Sequence, residues 1–191
     1  MTLILIGVGA IGFAFVTVVD FLVEGHLGGI LEEKRMDKLL AGLNGHHIVA
    51  GMGRVGSEVA RSFAAEGLRL VVIDDCADCA KRAAEEGWPV VSGDATEESV
   101  LKAAGIERAT SLVTTLDTDA ANVFVTLTAR QLNPKLYIVA RSSASSAEDK
   151  LRRAGADRCA RRASGTARGR WCSRCTARRA TSWRTPRLIP C

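Results

Sequence analysis

The residues best suited to chemistry are Gly51-Met-Gly53-Arg-Val-Gly56 and an acid pair, Asp74 and Asp75, that closes an apolar run 18 residues past Gly56. Glycines at this spacing, between a β-branched run and a helix, do three things. Gly51 permits a tight turn, Gly53 lets the backbone approach a diphosphate, and Gly56 lets helix and strand pack closely. The helix tip then offers free N–H groups to an anion, and Arg54 can add a cationic contact. A carboxylate at the end of the next strand accepts the hydroxyls of a ribose. Side chains alternate along a strand, so only one of the two acids points into the crevice. Asp74 is the favoured one. It suits a free ribose over a phosphorylated one.

Behind these residues lies an alternation of strand and helix. His47 enters the first strand, and Ser57–Glu66 reads as an amphipathic helix. Arg69–Asp74 reads as a buried parallel strand, Cys76–Glu86 as a helix, and Pro89–Ser92 as a strand entering Gly93-Asp94-Ala95-Thr96. A helix over Glu97–Ala104, with Thr96 as its N-cap, precedes a strand at Ser111–Thr115. A long helix Asp119–Leu132, a strand Leu136–Arg141 and a helix Ser145–Ala154 follow. Five strands separated by helices predict an α/β, doubly wound parallel sheet of Rossmann-like type. Such sheets bind ligands at the carboxyl ends of their strands. Asp94, Thr115, Asp117 and Arg141 fall at or just past those ends, and Val55, Ala95, Thr96 and Leu116 flank them.

The formal charge of +5 is unevenly spread. From Arg158 onward there are 10 arginines and no Asp, Glu or Lys, so the first 157 residues carry a net charge of −5. The body is mildly acidic, which argues against nucleic acid as its partner. Its two cysteines, Cys76 and Cys79, suit a reducing compartment and read as incidental thiols. Residues 158–191 show no helix or strand period. Their Arg, Cys, Trp and Ser bias resembles translation of a shifted reading frame, ahead of an arginine-rich nucleic-acid tail or a zinc site through Cys172 and Cys175.

Residues 1–23 contain one charge, Asp20, and are long enough to cross a hydrocarbon core. A membrane span is expected. Gly7, Gly9 and Gly12 mimic a second glycine fingerprint, but the residues after Gly12 are apolar all round where a covering helix is amphipathic. Lys34, Arg35 and Lys38 place the rest of the chain in the cytoplasm by the positive-inside rule. Asp20 faces either a watery pathway or the interface. Residues 24–46 read as a linker with a short amphipathic helix, and His26, His46 and the adjoining His47 are expected to be solvated.

HIVAGMGRVG, VVIDD, VVSGDAT, TTLDTDAANVFVTLTARQLNP and YIVARSS resemble the TrkA-N or RCK (regulator of potassium conductance) domain over residues 47–157. The segment before them is similar to the inner pore helix and linker of two-helix potassium channels. The resemblance implies a regulatory domain, not an enzyme. It implies NAD(H) or ATP/ADP held between the glycine turn and Asp74, with the adenine near Asp94, Ala95 and Thr96. It further implies a homo-oligomer, with dimers building a ring that pulls the linker Gly25–Gly45 on an inner helix bending at Gly7, Gly9 or Gly12. The expected location is the cell membrane, with a pore-forming potassium channel part as partner. Because the sequence begins at the inner helix, it is expected to be a truncated piece of such a channel or a subunit of a pore made elsewhere. Two rivals stand beside this: an NAD-dependent oxidoreductase, for which no substrate segment is expected after Asp157, and a calcium sensor through Asp94, Asp117 and Asp119.

Overall fold

The computed structural model describes Leu40 and residues 42–161. The expected membrane span over residues 1–23, most of the linker including His26, and most of the arginine-rich tail lie outside these residues. Among the described residues no helix is long and apolar enough to cross a membrane.

Strands β1 (His47–Ala50), β2 (Leu70–Asp74), β3 (Val90–Ser92), β4 (Ser111–Thr114), β5 (Tyr137–Ser142) and β6 (Arg158–Arg161) form one sheet. All pair in parallel, in the order β3-β2-β1-β4-β5-β6. Helices α1 (Arg54–Ala65), α2 (Ala77–Glu85), α3 (Glu98–Ala103), α4 (Asp119–Leu132) and α5 (Ser145–Arg153) make the crossovers. The strand order reverses between β1 and β4, and the crevice at such a reversal is where this architecture takes ligands.

The sheet forms because its central strands are apolar on both faces, as a parallel sheet covered by helices requires. Val49, Val72, Val113 and Val139 point to one side and meet Met52, Val59, Ala60 and Phe63. Their neighbours Ile48, Ile73, Leu112 and Ile138, alternate in the chain and fully buried, point to the other. Helix α1 buries Gly56, Val59, Ala60 and Phe63, one stripe at helical spacing. Phe63 is 1% exposed, and truncating it to alanine would cost about 3–5 kcal/mol.

Three expectations need correction. His46 and His47 are not solvated; both are buried. His46 Nε2 lies 2.8 Å from the Ala104 carbonyl, His47 Nδ1 lies 2.7 Å from Ser111 Oγ, and the His47 ring tilts against Phe63 at 5.1 Å. The reason is topological. β1 is a central strand, so even its entrance is enclosed. Second, a sixth strand occupies Arg158–Arg161, where the irregular tail was expected to begin. An edge strand draws its order from its neighbour's hydrogen-bonding groups, and β6 pairs Cys159 with Ala140 and Ala160 with Arg141, so it needs no apolar period. Third, Thr96 does not cap α3. The N-cap is Glu97, without a side-chain hydrogen bond, and the Thr96 amide instead donates to Asp94 Oδ1 at 2.8 Å.

Candidate functional site

The glycine turn follows β1 and opens α1. Gly51 has φ of +95°, and a side chain there would press on Thr115 at 3.1 Å. At Gly56 a Cβ would stand 1.8 Å from the Gly51 carbonyl oxygen, so the turn and the helix touch only because that residue has none. Gly53 differs. A Cβ there would meet nothing within 4 Å. This open side sits at the α1 N-terminus, where no side chain among the described residues caps the helix. The first-turn amides are thus available to an anion. Val55 contributes only backbone on that side, because its side chain packs on the core. Beside the turn is a cleft of about 330 Å³ whose lining includes Met52, Gly53, Arg54, Ser57 and Arg82.

Asp74 closes β2 and turns toward the glycines. Its Oδ2 accepts the Met52 amide, and its Oδ1 accepts the Cys76 amide at 2.8 Å. Asp75 is exposed. The alternation of the strand therefore places one acid at the turn and the other in solvent.

Across the switch point, buried Thr115 joins the two halves. Its amide donates to the Ala50 carbonyl at 2.8 Å, and its hydroxyl reaches the Gly51 carbonyl at 2.8 Å. Leu116 is held by a residue that the sequence reading missed. Buried Asn122 accepts the Leu116 amide and donates to the Leu116 and Thr118 carbonyls, all at 3.1 Å. Nothing in the sequence marks this Asn apart from its place in the run TTLDTDAAN. Arg141 is half-buried, its Nη1 3.5 Å from the Leu116 carbonyl, while its buried Nε has no hydrogen-bond partner among the described residues.

The remaining candidates are more dispersed. Asp94 ends β3 in a turn of its own, and its hydrogen bonds from the Thr96 backbone and side chain hold its carboxyl below the usual value. Ala95 is buried and Thr96 half-buried. This turn stays beside the site because the Gly93 amide donates to the Asp74 carbonyl at 3.1 Å. Asp117 is exposed. Asp119, by contrast, accepts the amides of Ser143 at 2.7 Å and Ala144 at 3.3 Å, tying α4 to the loop after β5. Among the described residues Asp94, Asp117 and Asp119 do not gather into a three-donor cluster; the group that does is Asp74, Cys76 and Cys79.

A parallel sheet in this order, with a glycine turn after β1 and an acid ending β2, defines the class of Rossmann-like α/β domains. Comparison with known proteins narrows the class. The model of the TrkA-N domain matches residues 47–161, and the chain belongs to that family; the match extends through β6. Potassium channel protein 1 of Methanocaldococcus jannaschii is 38% identical over 154 residues, covering 80% of this chain and 46% of that protein. The chain thus spans about half the length of such relatives. Among solved structures, the TrkA-N domain of the inner membrane protein ybaL from Escherichia coli aligns with a TM-score of 0.61 at 27% identity, covering 63% of this chain and 89% of that one. The GsuK channel bound to NAD aligns at 0.57 and 28%, covering 62% and 21%. GsuK bound to ADP aligns at 0.58 and 27%, covering 63% and 32%.

Proposed function

We infer that this domain binds NAD(H) or an adenine nucleotide and, through that binding, regulates potassium flux through a membrane pore without turning the ligand over. The observation that carries the reading is the pairing of an open, uncapped helix tip at Gly53 with the Asp74 carboxylate at the same turn. The residues present fit the group. The amides from Gly53 to Gly56 would hold the diphosphate and Asp74 the ribose, with Arg54 adding charge. Arg141, beside the Leu116 carbonyl, and the Asp94–Thr96 turn, tied to Asp74 through the Gly93 amide, would border the same crevice. GsuK, a similar channel, has been solved with NAD and with ADP, which supports both ligands here.

Regulation requires that the ligand favour one arrangement of subunits over another. Phe124 and Leu127 on α4, 57% and 44% exposed, line a groove with Ala147 of α5. This face suits a second copy of the chain, in keeping with an assembly of dimers into a ring. The segment before the domain would anchor it at the cell membrane, with the sheet in the cytoplasm. Calorimetry of the protein against NADH, NAD, ADP, ATP and calcium tests the ligand. Nucleotide binding is expected, and its absence, or steady turnover of a nicotinamide substrate, would overturn the reading.

A further inference from the structure

Beside the glycine turn is a group of three side chains of which the proposed nucleotide site uses only one, Asp74. Cys76 immediately precedes α2, Cys79 lies in its first turn, and Asp74 ends the preceding strand. The donor atoms of these three residues all lie within 4.8 Å of one another. A tetrahedral zinc with bonds of about 2.3 Å to sulfur sets ligand atoms about 3.8 Å apart, and exposed Cys76 can close that difference by rotamer changes. The C-x-x-C spacing at a helix start is that of half a structural zinc site. Two thiolates and a carboxylate around a divalent cation leave one negative charge. Arg82, whose Nη2 is 3.1 Å from Cys79 Sγ, supplies the balancing cation. Sulfur donors select a borderline-soft ion and disfavour calcium, which takes oxygen ligands.

We propose that Asp74, Cys76 and Cys79 form a binding site for a zinc-class divalent cation, and that cation and nucleotide exclude one another because both require the Asp74 carboxylate. The first half of this statement stands on the cluster alone. The second rests on the reading in which Asp74 grips the ribose. Three protein ligands leave the fourth tetrahedral position to water, so the site is open and exchangeable. A metal there would draw Asp74 from the Met52 amide, loosening the turn that presents Gly53.

The test uses the full chain with its thiols kept reduced, in a Cys172→Ser/Cys175→Ser background so that the tail pair contributes no sulfur. Cobalt is titrated first, since bound Co²⁺ reports thiolate ligation through its charge-transfer absorption and tetrahedral geometry through its visible bands. One equivalent is expected to bind, zinc is expected to displace it, and the thiolate band is expected to vanish in Cys76→Ser and in Cys79→Ser. ADP is then titrated at buffered free zinc. At zinc 100-fold above its own dissociation constant, competition raises the apparent ADP constant about 100-fold, and Cys76→Ser/Cys79→Ser abolishes that shift. Absence of the thiolate band overturns the metal site and leaves the nucleotide reading intact. A band with unchanged ADP affinity overturns the exclusion. Failure of the metal-free protein to bind either ADP or NADH sinks the nucleotide reading and the exclusion with it, while the cobalt titration still reports the site.

Discussion

Two glycines three residues apart should respond to alanine in opposite ways, and the contrast tests the diphosphate contact directly. At Gly53 the backbone is extended, with φ of −67°, and a Cβ meets open space. The folded protein therefore tolerates Gly53→Ala, at a penalty of about 0.5–1 kcal/mol because alanine is a poorer N-cap than glycine. The methyl group, however, projects into the approach that a diphosphate must use. Loss of one hydrogen bond to a charged group removes about 1.5–3 kcal/mol, which weakens binding roughly 10- to 150-fold. At Gly56 the methyl would overlap the Gly51 carbonyl oxygen at 1.8 Å and crowd Thr115 Oγ1 at 2.8 Å. Backbone must move, and overpacking of this severity costs about 3 kcal/mol, or roughly 10–20 °C in Tm. Calorimetry with ADP and NAD, alongside thermal melts, reads both effects. If Gly53→Ala keeps parental affinity for both ligands, no diphosphate sits at this turn and the proposed function fails.

Two further predictions follow from burial and exposure. Phe124→Asp places a charge on the exposed α4 face without touching the core, so it should lower the oligomeric state by light scattering while leaving Tm nearly unchanged; an unaltered oligomer would exclude that face as the interface. His46 and His47 both have depressed proton affinities, chiefly from burial, with repulsion from Arg108 and Arg69 adding at His46 and from His46 at His47. A depressed histidine favours folding above its ordinary value near 6.5 and loses that contribution as pH falls through the folded value. Stability by urea unfolding should therefore decline from pH 7 to 6, where carboxylates are still ionised, by at most about 1.4 kcal/mol per unit for each ring. A flat profile over that interval would contradict the burial of both rings.

The glycine turn and the place of Asp74 beside it were legible in the sequence because both follow from residue type. A glycine is required where backbone must pass close to backbone, and an acid that ends an apolar run is unusual enough to stand out. The sheet was legible for a related reason, since its strands are apolar on both faces. What escaped detection depends on neighbours that only the fold supplies. β6 is ordered by pairing with β5, so Arg158 and Cys159 carry no pattern of their own. His46 and His47 look like linker residues until the sheet order shows β1 at its centre. Asn122 reads as one more polar residue on a helix, and its grip on Leu116 exists only because α4 starts beside the end of β4.

Asp74 is the obvious target for mutation, and it is also the harder one to interpret. Its carboxylate accepts the amides of Met52 and Cys76, so Asp74→Ala removes a ribose contact and also strands two donors at the turn. Unpaired donors of this kind cost about 1–3 kcal/mol each where they are cut off from water, and a deformed turn would weaken nucleotide binding by itself. Asp74→Asn separates the two roles in part, because its amide oxygen can still accept one of the two N–H groups. If Asp74 grips a sugar, Asp74→Asn should lose ADP affinity by more than tenfold while its Tm falls only a few degrees, an outcome consistent with one hydrogen bond to a charged group. Affinity that merely tracks Tm across Asp74→Asn, Asp74→Ala and Gly56→Ala would show the carboxylate to be a brace for the turn and nothing more.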